Sequence, residues 1–342
     1  MSLGFLGIQF GFALQTGNAS RILQTFGADV EHLPLFWLAA PITGMIIQPL
    51  IGYYSDRTWT RLGRRRPFFL FGAFLAALSL ILMPNASLFA ALLPPVLIGA
   101  GMLMLMDASF NIAMEPFRAL IADNLPESQY SKGFSIQTFL ISIGAILGSL
   151  FPYLLANGFG IAKTAPQGEI PDNVLYSFYA GALLMLVTLL WTVFTTKEYT
   201  PQEHAAFHPE EQSIPERKGV LTIFTDFGKM PRTMAQLGLV QFFSWFGLFA
   251  MWIYMTPAVA AHVYKLPPAD TVSVKYADAG NWIGILFSIY NAVAAVYALC
   301  LPAIARRTSK KTAHAVSLVA GGIGLLSIYF INDPRWLILS MT

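Results

Sequence analysis

Residues 93–117, LPPVLIGAGMLMLMDASFNIAMEPF, form one long apolar run in which a single carboxylate, Asp107, lies near mid-length. A helix rises 1.5 Å per residue, so about 20 apolar residues cross the roughly 30 Å of hydrocarbon in a bilayer. Similar runs recur along the 342 residues, of which 56% are hydrophobic and 11% charged. Soluble domains carry about 25% charged residues. The sequence therefore predicts an all-α, polytopic membrane protein.

Nine apolar runs of membrane-spanning length lie between clusters of charge. The predicted spans are approximately Leu3–Arg21, Pro34–Tyr54, Pro67–Met83, Leu93–Phe117, Phe134–Ala156, Val174–Phe194, Ala235–Ala260, Asn281–Ala303 and Ala313–Ile331. A tenth run starts near Trp336, shortly before Thr342. Because six spans precede the longest polar stretch and only three complete ones follow it, we expect the natural chain to continue for about three more spans.

The loops on the two sides of the predicted membrane differ in their Lys and Arg content. With the N-terminus inside, 16 of the 21 basic residues fall on the cytoplasmic side and five on the other. Cytoplasmic loops hold the basic excess, so this split predicts a cell-membrane protein with a cytoplasmic N-terminus. The net charge of +3 is too small to indicate nucleic-acid binding.

The longest polar stretch, from Lys197 to Arg232, mixes both charge signs with several prolines. It predicts a cytoplasmic linker over residues 197–234, between an N-terminal six-helix bundle at residues 1–196 and a partial C-terminal bundle at residues 235–342. The basic cluster after the second span has a weaker echo after the eighth span. Spans two and eight hold equivalent places in two six-span halves, as in transporters built from a parallel repeat.

Asp107 is the most informative residue, because a mid-bilayer carboxylate costs about 2.5–3.5 kcal/mol and usually serves a function. On the same helix Asn111, Glu115 and Arg118 form one stripe with it. Arg118 is about 16 Å along the axis from Asp107, too far for direct pairing. Since desolvation favours a neutral acid, Asp107 is a candidate proton site. A structural hydrogen bond to a neighbouring helix is the alternative.

The first predicted span carries an unusual density of amides for a helix in contact with lipid. Amides both donate and accept hydrogen bonds, which suits sugar hydroxyls, and aromatic rings suit the apolar faces of pyranosides. The candidate substrate-binding residues are Gln9, Gln15, Asn18, Asn111, Gln137, Gln241, Trp245 and Asn291. Hydrogen bonding between helices, worth about 0.6 kcal/mol per contact, is the alternative.

Two glycine pairs, Gly7/Gly11 and Gly144/Gly148, have the spacing that lets helices approach closely. We find no phosphate-binding glycine loop, no metal-ligand histidine pair and no nucleophile elbow in the sequence. The single cysteine, Cys300, cannot form an internal disulfide. These patterns favour a transporter without cofactor or metal over a membrane enzyme.

Four stretches near the start carry a family resemblance: GIQFGFALQ at 7–15, WLAAPITGMIIQP at 37–49, GYYSDR at 52–57 and RLGRRRPF at 61–68. They closely resemble the sucrose:proton symporters of plants and their animal and bacterial relatives, within the major facilitator superfamily. The resemblance implies twelve helices in two six-helix halves. It also implies a cytoplasmic gate, in which Asp56 meets a helix end of the other half. The implied gate residues are Gly52, Asp56, Arg57, Gly63, Arg64 and Arg65.

Two further stretches, MDASFN at 106–111 and PFRALIAD at 116–123, look like the family segment that holds its essential membrane Asp and, eleven residues later, its Arg. The resemblance thus implies proton coupling at Asp107 and Arg118. Residues 251–259, MWIYMTPAV, lack the charges that plant members carry there. In this stretch the sequence departs from the plant members. The resemblance as a whole implies a secondary transporter for the proton-coupled uptake of a sugar or glycoside, with membrane lipid as a further partner. An exporter or uniporter of another small solute, or a sugar sensor, is the alternative.

Overall fold

The computed structural model of the chain describes residues 2–199, 203, 228 and 230–342. The regular structure of these residues is helical, and they contain no β-strand beyond one isolated bridge between Thr60 and Gly63. The predicted all-α class is confirmed. The described α-helices are α1 (Gly4–Thr25), α2 (Leu33–Trp37), α3 (Ala39–Arg57), α4 (Arg66–Leu82), α5 (Pro95–Asn124), α6 (Glu127–Asn157), α7 (Asp172–Thr195), α8 (Arg232–His262), α9 (Val274–Arg307), α10 (Lys310–Ser327) and α11 (Leu337–Ser340).

Each of the nine predicted spans lies mainly on one of these helices. Seven segments of the described chain are long and apolar enough to cross a membrane, from α2–α3 and from α5 to α10. The helix α4, with 17 residues, is apolar but shorter. The polytopic membrane class therefore follows from the helices themselves as well as from composition.

Several helices run past the predicted spans. The helix α5 ends at Asn124 instead of Phe117, because a backbone that leaves the hydrocarbon can continue its helical hydrogen bonds. The second predicted span is divided between α2 and α3. Pro41 has no N–H to donate to the carbonyl of Trp37, which explains the break after that residue.

The helices α1 to α7, called here the N-terminal half, pack around α1, which contacts α5, α6 and α7. Gly144 and Gly148 place α6 directly against backbone carbonyls of α1. Gly7 lies against the backbone of α7, and Gly11 lies against Leu80 of α4. The close packing predicted for both glycine pairs is confirmed.

The helices α8 to α11 are called here the C-terminal half. The first turns of α8, from Arg232 to Phe243, are exposed, whereas most residues from Met251 to Ala260 are buried. In α9 the buried part comes first: most residues from Tyr276 to Ser288 are buried or half-buried, and most residues after Val296 are exposed. Among the described residues, the halves thus contact each other mainly at one side, called the sealed side, where α1 and α8 end and α9 begins.

The opposite side, called the basic side, carries the loop at residues 57–66 and the end of α9 at Arg307. The predicted linker, residues 197–234, lies for the most part outside the described residues. The division of the chain into two bundles at that linker stays a prediction.

Candidate functional site

Asp107 lies in the interior of the N-terminal half and is 4% exposed. Its Oδ1 atom accepts a hydrogen bond of 2.5 Å from Nε2 of Gln15 in α1. The other carboxyl oxygen, Oδ2, and the Oε1 atom of Gln15 are buried and have no hydrogen-bond partner within the described residues. Two buried acceptors without a donor are costly, and a proton on Oδ2 would turn one of them into a donor.

Asn111 lies one turn further along α5 and connects this pair to α3. Its Nδ2 atom donates to the backbone carbonyl of Asp107 at 2.9 Å, and its Oδ1 atom accepts from Nε2 of Gln48 at 2.6 Å. Asn111 therefore binds the main chain of Asp107 and leaves the carboxyl group to Gln15. Gln48 was not among the candidate residues, although an amide inside an apolar run is the signal that would have found it.

The predicted stripe along α5 becomes progressively more exposed toward the basic side. Asp107 is buried, Asn111 and Glu115 are half-buried, and Arg118 is exposed. Arg118 is therefore separated from the buried acid in this conformation, in agreement with the spacing along the helix.

An aromatic wall on α8 faces the N-terminal half. Trp245, Phe249 and Trp252 lie on successive turns, and the ring centroids of Trp245 and Trp252 are 6.1 Å apart. Trp252 meets Phe12 of α1 edge-on at 6.0 Å, and Phe249 meets Trp37 at 6.4 Å. Trp245 is 48% exposed, so the wall runs from the buried contact between the halves to an accessible surface.

Two candidate amides are used within their own helices. Nδ2 of Asn18 donates to the carbonyl of Leu14 at 3.0 Å, and Nδ2 of Asn291 donates to the carbonyl of Phe287 at 2.7 Å. These bonds leave the side-chain oxygens as the atoms that could meet a solute.

The remaining candidate amides lie in three different surroundings. Gln9 is half-buried on α1, Gln137 is buried on α6, and Gln241 is exposed on the basic side of α8. Gln15, Asp107, Asn111 and Gln48 thus form the connected polar cluster, whereas Gln241 and Arg118 lie apart from it. The described residues contain no group of His, Cys, Asp or Glu that could hold a metal ion.

Arg65 is the centre of the predicted gate region on the basic side. It contacts Asp56 at 2.5 Å, Asp123 at 2.9 Å and Ser55 at 2.8 Å, while Arg64 reaches Asp56 at 3.5 Å. Burial lowers the pKa of Arg65, but the two carboxylates raise it by more, so the guanidinium stays charged. Asp56 contacts Arg64 and Arg65 of its own half in this conformation, and its expected contact with a helix end of the C-terminal half stays a prediction for the state in which the basic side is closed.

Glu198, which follows α7, binds the start of α4. Its carboxylate accepts hydrogen bonds from the backbone N–H groups of Arg64, Arg65 and Arg66 at 2.6, 2.9 and 2.9 Å. Gly63 has φ +114°, and a Cβ there would lie 2.8 Å from the Glu198 carboxyl carbon. Glycine is thus needed at 63 for its conformation and for space. Sequence reasoning missed Glu198, which it placed in the linker.

The two remaining gate residues lie on α3. The guanidinium carbon of Arg57 lies 3.8 Å from the ring centroid of Tyr53, one turn earlier. A Cβ on Gly52 would have no atom within 4 Å among the described residues. Local packing in this conformation therefore does not require glycine at position 52.

Three polar contacts between the halves, all among the described residues, lie on the sealed side, and the sequence analysis predicted none of these pairings. They are the hydrogen bond from the Tyr276 hydroxyl to Oε1 of Gln24 (3.2 Å), the ion pair of Lys163 with Asp278 (2.5 Å) and the hydrogen bond from Nδ2 of Asn173 to Oδ1 of Asn281 (3.0 Å). All three partners in the C-terminal half lie on the first turns of α9.

Known proteins with similar sequences are transporters. The family model of the Major Facilitator Superfamily matches residues 1–342. The general alpha-glucoside permease of Schizosaccharomyces pombe is 29% identical over 273 residues, which cover 76% of this chain and 47% of that protein. Sucrose transport protein SUT5 of Oryza sativa subsp. indica is 26% identical over 339 residues, or 91% and 61% of the two chains. The chain thus spans about half to three-fifths of the length of these relatives.

Solved structures with a similar fold include the nucleoside transporter NupG, with a TM-score of 0.67 at 15% identity over 99% of this chain and 77% of that one. The partially occluded, inward-open xylose transporter XylE of E. coli also has a TM-score of 0.67, at 17% identity over 99% and 81%. The chain belongs to the major facilitator superfamily, and its sequence is similar to the sucrose-transporter members of that family.

Proposed function

We propose that the chain belongs to a secondary transporter that moves a sugar or glycoside together with protons by alternating access. A sucrose- or maltose-type disaccharide is the proposed solute, and the names of the alpha-glucoside and sucrose relatives support this class. The observation that carries the proposal is the buried pair of Gln15 and Asp107.

The pair has the chemistry of a proton site. The Gln15 amide donates to one carboxyl oxygen, and each partner keeps one buried acceptor without a donor. A protonated Asp107 would supply the missing donor, whereas an ionised one would need water or solute hydroxyls. Arg118, at the basic end of α5, is proposed to take part in coupling when the basic side closes.

The amides of the polar cluster and the aromatic wall of α8 suit a polyhydroxylated solute. Gln48 and Asn111 lie on the α3 side of the cluster, and the aromatic wall of Trp245 to Trp252 lies across from α1. Amides can bind hydroxyl groups while rings cover the apolar faces of a pyranose.

The proposed location is a cell membrane with the basic side in the cytoplasm, as the distribution of Lys and Arg favours. The described conformation would then be closed to the outside and open to the cytoplasm. A proton that enters down 100 mV supplies roughly 2.3 kcal/mol, enough for an approximately fifty-fold solute gradient at one-to-one stoichiometry.

The test replaces Asp107 by Asn in the full-length protein reconstituted in liposomes. Asn keeps the size and hydrogen bonding of the side chain but cannot titrate. We expect Asp107→Asn to abolish uphill uptake of labelled maltose or sucrose driven by a pH gradient, with counterflow exchange retained. Glu115→Gln, which removes another carboxylate from α5, should leave uphill uptake unchanged.

The outcomes separate the alternatives. Accumulation by Asp107→Asn with the parent's dependence on pH would make the acid structural. Counterflow without any uphill uptake in the parent would indicate a uniporter, and solute binding without counterflow would indicate a sensor.

A further inference from the structure

Arg21 is a buried cation at the boundary between the two halves. It lies near the end of α1 and is 3% exposed. Its guanidinium carbon lies 5.8 Å from the ring centroid of Tyr276 in α9. Its Nη1 atom is buried and has no hydrogen-bond partner among the residues that the structure describes. The carboxylate on the same turn of α9, Asp278, is paired with Lys163 instead.

Gly280 makes the room that Arg21 occupies. A Cβ on Gly280 would lie 2.8 Å from Nη1, 3.0 Å from Cδ and 3.0 Å from Cζ of Arg21, and these are its three nearest heavy atoms. Tyr276 and Gly280 are four residues apart on a helix, so they share one face. Arg21 therefore fits a notch between the Tyr276 ring and the bare backbone of Gly280.

We propose that Arg21 is a positioning residue that makes the sealed side easy to reopen. Closing this side removes a guanidinium from water without an ion pair of its own among the described residues. Asp278, whose charge favours the guanidinium, is already paired with Lys163, and a ring contact compensates only part of the loss. Opening the halves returns the charge to water. The notch thus matches the guanidinium of Arg21 closely in shape, but it does not neutralise the charge of that group. This inference rests on the proposed transport function, since a protein that alternates must break its seal in every cycle.

The test follows the exposure of a cysteine placed behind the seal. Ser149 of α6 is 2% exposed, and its carbonyl faces Gly284 of α9, so Ser149→Cys reports separation of α6 from α9. The full-length protein in lipid vesicles, with Cys300 and any other cysteine replaced by serine, is treated with a membrane-impermeant maleimide on the Arg21 side. The labelling rate measures the open fraction without any solute.

Two variants should change this rate in opposite directions. Arg21→Met keeps a long side chain but removes the charge, so we expect labelling at least about fivefold slower. Gly280→Ala pushes the guanidinium out of the notch and should speed labelling at least about fivefold. The double variant Arg21→Ala/Gly280→Ala lacks the Nη1, Cδ and Cζ atoms that a Cβ at position 280 would crowd. Its labelling rate should therefore equal that of Arg21→Ala alone.

Gly17→Ala is the matched control, because the one described atom within 4 Å of a Cβ there belongs to Phe287 of the same interface, at an ordinary 3.9 Å. Its labelling rate should equal that of the parent. Arg21→Gln, a second neutral variant, should also label more slowly, and thermal unfolding identifies any variant that fails to fold. The proposal is overturned if Arg21→Met and Arg21→Gln are both labelled as fast as the parent. It is also overturned if Gly280→Ala accelerates labelling as much in an Arg21→Ala background as it does in the parent. If the protein does not transport sugar, the counterflow assay will show no exchange. The labelling rates can still be measured in that case, so the two proposals are tested separately.

Discussion

Two buried arginines, Arg21 on the sealed side and Arg65 on the basic side, have different surroundings. Arg65 lies between the carboxylates of Asp56 and Asp123, all within the N-terminal half. Arg21 lies against a ring of the C-terminal half, with one N–H atom unpaired within the described chain. The charge of Arg65 is matched by carboxylates within one half. The charge of Arg21 has no ion pair of its own among the described residues, at a contact that the proposed transport cycle would break.

The largest effect on stability should come from Arg65→Ala. The change leaves Asp56 and Asp123 without their shared cation, and side-chain exposure is 6% for Arg65 and 18% for Asp123. Because Asp56 is 49% exposed, we expect a loss of about 2–4 kcal/mol in the free energy of unfolding, at or below the range for a fully buried pair. Thermal unfolding of the purified protein measures it. Arg65→Lys should restore only part of the lost unfolding free energy, since a lysine ammonium lacks the planar set of N–H donors with which the guanidinium binds both carboxylates.

A smaller effect, confined to the seal, is expected for Gly284→Ala. A Cβ there would lie 2.5 Å from the carbonyl oxygen of Ser149, a backbone atom that cannot rotate away. Overpacking of this kind costs about 1–3 kcal/mol, which would shift the closed population by about 5- to 150-fold. Cysteine labelling on the sealed side checks this. Gly17→Ala, whose Cβ would meet Phe287 at an ordinary 3.9 Å, should leave labelling unchanged.

The smallest effect should come from the ion pair that joins the halves, Lys163 with Asp278. Their side chains are 30% and 43% exposed, so we expect each single charge removal to weaken the seal by about 0.2–1 kcal/mol. The exchanged pair Lys163→Asp with Asp278→Lys should restore the parental labelling rate. An effect above that of Gly284→Ala would contradict the contrast between matched and unmatched charges.

The helices and the buried acid could be predicted, because both depend on local sequence. Nine apolar runs predicted the positions of the long helices, although polar ends extended several of them. Asp107 was found because a carboxylate inside an apolar run has few explanations other than function. Gly144 and Gly148 were found by their spacing on one helix face.

The partners of these residues could not be predicted from one sequence. Gln15 and Asp107 are 92 residues apart, and Arg64 and Glu198 are 134 apart, so no periodicity connects them. The expected contact of Asp56 with the C-terminal half stays a prediction for a different reason. A gate contact exists only when its side of the protein is closed, and a sequence carries no sign of the conformation in which a structure will be found.

The helix α1 carries both Gln15, which binds the buried acid, and Arg21, which fills the notch of the seal. The two residues are six positions apart, or about 9 Å along the axis of one continuous helix. Thermodynamic linkage is reciprocal: if opening the seal changes the proton affinity of Asp107 by some factor, protonation must change the opening equilibrium by the same factor. If α1 transmits this coupling as a rigid helix, one coupling free energy can be measured in two ways. One is the pH dependence of opening on the sealed side, and the other is the difference in proton affinity of Asp107 between the closed and open states.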